Sequence, residues 1–392
     1  MLPSFSVGRL PRIDIGSGSH RLLPDIAPRY GRLLLLVTGA RSLDGSEAGA
    51  WLLEGLWAAS FSWDVLRVPG EPSPHLVDDA VADLRGSGIE CVLGIGGGSV
   101  LDAAKAVAGL LKPGNSVMDH LWKGLARRSV IRARNAPYRR SRHRRHGLGA
   151  HPERRALDPR SLGIQEIVPG RTTRPPTRGG GPGSPGLLPS AADRGQRHGQ
   201  LLESYLSTRA SPFTDALALS GMEAVRDGLL AWYEGSSGAA RGREKMAYAA
   251  LASGIALAQT GLGSVHGLAA PLGAFFAIPH GVVCGTLVGA ATRVNIEVLE
   301  AREPENSALA KSARVGRLLR SKSHLDDVGA RVFLLHTLET WTRRLDLPAL
   351  SSIGVSPGDI PRVVANCRGS SMTTNPVVLT DEEVSRILSR RL

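Results

Sequence analysis

The chain has 392 residues, long enough for two domains with substantial cores, and a formal net charge of +13. Its three cysteines, Cys91, Cys284 and Cys367, stand far apart with no Cys-x-x-Cys pair. That spacing argues against a disulfide framework or a thiolate zinc site and for a reducing compartment. The first residues, Met1-Leu-Pro-Ser-Phe-Ser-Val-Gly-Arg9, hold no apolar core of signal-peptide length, so a cytoplasmic protein is expected.

The positive charge is local. Arg127 to Gly199 contains 17 arginines, no lysine and four acidic residues, which is the whole excess of +13. A nucleic-acid-binding role would have to reside in this segment. Its one aromatic residue, Tyr138, offers almost nothing for base stacking, so no nucleic-acid partner is expected.

In chain order, Arg32-Leu-Leu-Leu-Leu-Val-Thr38 is a continuous apolar run closed by Gly39, the pattern of a strand buried on both faces of a parallel sheet. Residues 48–59 read as a helix, 62–68 as a second strand and 74–87 as a helix with Val77, Ala80, Val81 and Leu84 on one face. Glu90 to Ile95 is a third strand. This alternation predicts a doubly wound α/β domain.

The third strand runs into Gly96-Gly97-Gly98-Ser99-Val-Leu-Asp102-Ala-Ala-Lys105. A strand, a glycine turn and a helix start form the context in which backbone N–H groups approach a phosphate. Ser99 is expected to cap that helix, with Asp102 as the capping-box acid three residues on. A tight turn with no ligand fits the same residues, and the Gly-x-Gly-x-x-Gly fingerprint is absent.

From about Arg127 the composition changes to 9 prolines and 11 glycines in 73 residues, which reads as a structureless linker. Order is expected to return at Gln200-Leu-Leu-Glu-Ser-Tyr205, with Pro212 in the first turn of the next helix. Helical spacing then recurs over 215–232, 244–259, 308–319 and 328–345, and Thr380 with Glu383 forms a capping box for a terminal helix. The C-terminal half is predicted to be all-helical.

Met246 to Thr292 carries no Asp, Glu, Lys or Arg. A membrane span needs about 20 such residues. Gln259, His266, Pro271, Pro279, His280 and six glycines between Gly254 and Gly281 argue instead for helices buried in a globular domain, with no membrane partner. Two histidines in such a stretch are more often core residues than ligands.

Taken together, these pieces resemble the iron-containing alcohol dehydrogenase family over roughly residues 3–120 and 200–392. The resemblance is carried by Gly-Ser-Gly-Ser-His20, Val37-Thr-Gly-Ala-Arg-Ser42, Gly96-Gly-Gly-Ser99-x-x-Asp102-x-x-Lys105, His266-Gly-Leu-Ala-x-Pro-Leu-Gly273, Pro279-His280-Gly281 and Asn375-Pro-x-x-Leu-Thr380. It implies the family's architecture, an N-terminal α/β dinucleotide-binding domain over 1–190 and an all-α metal-binding domain over 200–392, as in dehydroquinate synthase-like folds. It also implies hydride transfer between a small alcohol or aldehyde and NAD or NADP, with Fe2+ or Zn2+ as the metal and a homodimer as an allowed assembly.

By the same resemblance, Gly96, Gly97, Gly98, Ser99 and Asp102 would bind the dinucleotide, with Gly39 and Ser42 beside it. His266 and His280 would hold the metal. The third histidine of many relatives falls near Gln200, leaving an amide there, and a possible proton-relay imidazole is replaced by Ala270. Gly39 stands where an acid often binds the ribose hydroxyls, with Arg41 nearby, which leaves NADP at least as plausible as NAD. A polyol dehydrogenase, a maleylacetate reductase or a dehydroquinate-synthase-like lyase on the same scaffold are alternatives.

The family's cofactor loop T-A-G-T-G-S-E and its metal-binding aspartate belong between residues 120 and 200, and neither is present. Synonymous codons for His143 to Gly149, read one nucleotide later, permit T-A-G-T-G-S-E, and Gly195 to Gly199 permits A-N-G-M-D, the metal-aspartate motif. Residues from roughly 125 to 199 are therefore expected to be the translation of a shifted reading frame. Weak or absent metal binding and activity are expected of the literal polypeptide.

Overall fold

A computed structural model describes residues 4–121, 162–164 and 191–392, apart from 9, 17, 41–42, 44–46, 71, 277 and 322–323. Contacts divide the chain into two compact units, Gly16–Val168 and the combination of Met1–Ile15 with Pro169–Leu392.

The first unit is built on a parallel sheet of four strands, Leu33–Gly39 (β1), Ser62–Val68 (β2), Cys91–Ile95 (β3) and Leu162–Ile164 (β4), in the order β2-β1-β3-β4. Strand β1 lies between β2 and β3, so that Leu36 pairs with Val65 on one side and Leu93 on the other. Successive side chains of a strand point to opposite faces. Leu35 and Val37 pack with Val77 and Val81 of α2 (Pro74–Leu84) and Val100 and Val107 of α3 (Gly98–Leu110). Leu34 and Leu36 pack with Leu52 and Leu56 of α1 (Glu47–Ala58) and with Leu23. The unbroken leucine run is thus the sequence of a strand serving two cores, the doubly wound arrangement expected.

The Arg-rich segment is not wholly structureless. Strand β4 (Leu162–Ile164) pairs parallel with β3, Leu93 opposite Leu162 and Ile95 opposite Ile164. The physical reason is local: Leu-Gly-Ile is a short apolar island that takes up the open hydrogen-bonding edge of β3. Helix α4 (Ala191–Leu206) also begins ahead of Gln200, where order was expected to return.

The second unit is helical. After α4 come α5 (Pro212–Tyr233), α6 (Ala239–Thr260), α7 (Ser264–Phe275), α8 (His280–Arg302), α9 (Ser307–Arg320), α10 (Asp327–Arg344), α11 (Ile360–Ala365) and α12 (Asp381–Ser389). The expected helix starts hold: Pro212 lies in the first turn of α5, which Ser211 caps in a box with Thr214, and Thr380 caps α12 with Glu383. The charge-free stretch forms most of α6, all of α7 and the first part of α8, up to Thr292. Helix α8 alone among the described helices is long and apolar enough to cross a membrane, yet 83% of its most apolar window is buried within the protein. Cys284, Leu287, Val288 and Val294 are fully covered, so the run without charges is the centre of a core.

Candidate metal centre and cofactor turn

The candidate metal centre lies at the start of α7. Its N-cap position is Gly263, which has no side chain to satisfy the first N–H groups of the helix. Two distant residues do so instead. Asn375 Oδ1 accepts from the Ser264 N–H at 3.0 Å, and Glu203 Oε1 accepts from the Val265 N–H at 2.7 Å. A Cβ at Gly263 would sit 2.7 Å from Asn375 Oδ1 and 2.9 Å from Glu203 Oε1, so glycine is what lets both acceptors approach. Asn375 is itself held by Asn295 Oδ1 at 2.9 Å and the Val377 carbonyl at 2.7 Å, to both of which its amide donates.

The second oxygen of Glu203 meets His266 Nδ1 at 2.5 Å. Both side chains are buried, at 9% and 6% exposure. This contact fixes the ring and turns its other nitrogen inward. His266 Nε2 is buried with no hydrogen-bond partner. Facing it is His280, the first residue of α8, with ring centroids 5.5 Å apart. One helical turn further on, Cys284 Sγ lies 3.5 Å from His280 Nε2. The ligand atoms of His266, His280 and Cys284 all fall within 4.8 Å of one another.

Burial alone would disfavour charge on His266 and on Cys284. Their mutual attraction, with the Glu203 carboxylate behind the ring, reverses both effects. The imidazole is held above its ordinary value and the thiol below it. Such a donor set suits a divalent ion, which binds thiolate and neutral imidazole and releases the protons they carry.

The structure brings together two predicted ligands, His266 and His280, and adds two residues that sequence reasoning missed. Cys284 was set aside because the cysteines form no pair. A single thiol among histidines needs no pair, and its position four residues after His280 on one helix face was the available signal. Glu203 had a weaker signal, as an acid inside the apolar run Leu201-Leu-Glu-Ser-Tyr205. Gln200, on the same helix, is buried and its Oε1 accepts from the Ser253 hydroxyl at 2.5 Å.

In the first unit, β3 leads into the turn Gly96–Gly97 and then α3. The capping expectation fails here. The helix starts at Gly98 with Gly97 as its N-cap, and no side chain caps it. Ser99 is already inside the first turn, because the glycines let the helix begin earlier than a serine cap would. Asp102 faces Lys105 across 3.7 Å on the exposed side, and is no capping acid. Gly96 has φ +159, and a Cβ there would meet Val100 Cγ2 at 2.7 Å. Nothing lies within 4 Å of the Cβ positions of Gly97 and Gly98, so no neighbour crowds this turn. That fits a phosphate cradle. Gly39 ends β1, while Arg41 and Ser42 lie outside the described residues.

Two family models match the chain. The iron-containing alcohol dehydrogenase model covers residues 11–138, and the C-terminal model of the Fe-containing alcohol dehydrogenase family covers 200–392. The chain belongs to the iron-containing alcohol dehydrogenase family. Its relatives include alcohol dehydrogenase 4 of Saccharomyces cerevisiae, 26% identical over 331 residues, spanning 82% of this chain and 81% of that protein. The probable alcohol dehydrogenase EutG of Escherichia coli is 29% identical over 330 residues, with 79% and 76% covered. The fold matches a crystal structure of 1,3-propanediol oxidoreductase, with a TM-score of 0.74, 19% identity and full coverage of both chains. The family interconverts alcohols and aldehydes with a nicotinamide cofactor and a metal, so the chain is an iron-type alcohol dehydrogenase by descent.

Proposed function

We propose that the second unit holds a catalytic divalent metal on His266 and His280 and that the first unit binds NAD(P) on the Gly96–Ser99 turn. The observation that carries the metal reading is His266 Nε2: buried, without a hydrogen-bond partner, and aimed at two further donor side chains. A buried polar atom left unpaired costs about 1–3 kcal/mol, and a bound water, ion or ligand removes that cost; two further donors beside this nitrogen favour an ion. A metal held there would supply Lewis-acid polarisation of a substrate oxygen, and a nicotinamide on the glycine turn would serve as hydride acceptor. Glu203 accepts the Nδ1 proton of His266 and so presents Nε2 as the ligand nitrogen, the usual role of a carboxylate behind a metal-binding histidine. His266 and His280 act as ligands rather than as bases. A short-chain alcohol or aldehyde is the substrate in this reading, and the absence of an acid at Gly39 favours NADP at least as well as NAD.

The shifted reading frame is part of the same proposal. Three observations support it. The family models leave residues 139–199 unmatched, which is most but not all of the segment. The aspartate ligand has no counterpart in the sequence. His198, near the far boundary, is 4% exposed with neither ring nitrogen hydrogen-bonded, a poor choice for its apolar surroundings. With the aspartate missing, the donors still present bind metal weakly, and turnover by the literal chain is low.

The test is to express the literal chain beside a version with the frame restored over 125–199, and to measure bound iron and zinc and the oxidation of short alcohols with NAD and NADP. Stoichiometric metal and turnover in the repaired protein, with little in the literal chain, are expected. Equal turnover by both would defeat the frame reading, and inactivity of both would defeat the assignment of substrate class.

A further inference from the structure

We infer that Cys284 is a ligand of this metal, making the centre one of two imidazoles and one thiolate. The inference rests on the proposed metal site at His266 and His280 and adds a donor of different chemistry to it.

The geometry is that of a coordination sphere. Zinc binds imidazole nitrogen at about 2.0–2.1 Å and thiolate sulfur at about 2.3 Å, which at a tetrahedral angle separates the two donors by roughly 3.6 Å. Cys284 Sγ and His280 Nε2 are 3.5 Å apart. They sit one turn apart at the start of α8, so the same backbone presents both. The His266 ring is the second indication: its Nε2 is buried with no hydrogen-bond partner, and the residue belongs to the same three-donor cluster. The position that would otherwise supply the next donor, Gln200, has its amide oxygen engaged by the Ser253 hydroxyl. Sulfur is thus the third donor this chain offers among its described residues.

Thiolate in the set shifts the preference from iron(II) towards zinc, because soft sulfur ligands favour zinc. On binding, the metal takes a sulfur lone pair and the thiol proton leaves to solvent. Three protein ligands leave an open position for a substrate oxygen, as in catalytic zinc sites.

Cobalt(II) gives a readout separate from activity. Purified full-length chain at saturating cobalt should show visible ligand-field bands together with a near-ultraviolet thiolate-to-cobalt charge-transfer band. Cys284→Ser, and Cys284→Ala as a second variant, should keep the visible bands and lose the near-ultraviolet one. A wild-type spectrum with visible bands alone, or an unchanged near-ultraviolet band in the folded variants, overturns the sulfur ligand while the histidine site stands. No cobalt bands in either the literal or the frame-restored chain overturns both.

Discussion

His198 should make this protein unusually sensitive to mild acid. The ring sits on α4 against Trp341, centroids 5.2 Å apart, in a small cavity lined by Leu202, Met222, Val225, Leu334 and Leu338. No lining residue ionises, and burial alone lowers the histidine from 6.5 to about 4. The folded value lies below the unfolded one, so the unfolded chain binds more protons between these limits. Stability is therefore fully present above pH 6.5 and falls as the pH drops towards 4. Proton linkage puts the loss between pH 7.5 and pH 5 at about 2 kcal/mol from this one residue. His198→Leu removes the titration and two unsatisfied buried nitrogens, which adds roughly 1–3 kcal/mol at neutral pH. Urea unfolding of both proteins at pH 7.5 and pH 5 measures the difference. The gap between them should widen by about 2 kcal/mol at the lower pH. Parallel pH profiles would show that the ring is solvated or paired in solution, and the reasoning would be wrong.

Glu203→Gln keeps the size of the side chain and removes the carboxylate behind His266; metal affinity should drop roughly 10- to 100-fold, read by competition with a chromophoric chelator. An unchanged affinity would mean that Glu203 only caps α7. Gly316→Ala should cost about 3 kcal/mol in urea unfolding, because the new Cβ would lie 1.9 Å from the Ala330 carbonyl oxygen where α9 crosses α10. A wild-type midpoint would show that the two helices can move apart freely.

Periodicity made most of the fold legible. The run Leu33–Val37 announces a strand covered on both faces, and the structure divides its side chains between two cores. Thr380 and Glu383 mark a helix start that the structure reproduces hydrogen bond by hydrogen bond. Local rules failed where glycine had a second use. Ser99 has the chemistry of a cap, but the preceding glycines start α3 ahead of it. β4 escaped notice because three apolar residues give no period to detect. At the metal centre, the histidine motifs were visible as local patterns. The Glu203 contact was not, since it joins residues 63 positions apart and no local spacing encodes such a pair.

The two borrowed caps on α7 have a consequence for biogenesis. Asn375 reaches Ser264 across 111 positions and Glu203 reaches Val265 across 62. The helix that presents His266 therefore lacks one of its two caps, worth about 0.5–2 kcal/mol, until the C-terminal segment has left the ribosome and docked. A chain truncated before Asn375 would keep His266, His280 and Cys284 yet lose one of the two caps, so the candidate metal centre takes its final order only when the end of the chain is in place.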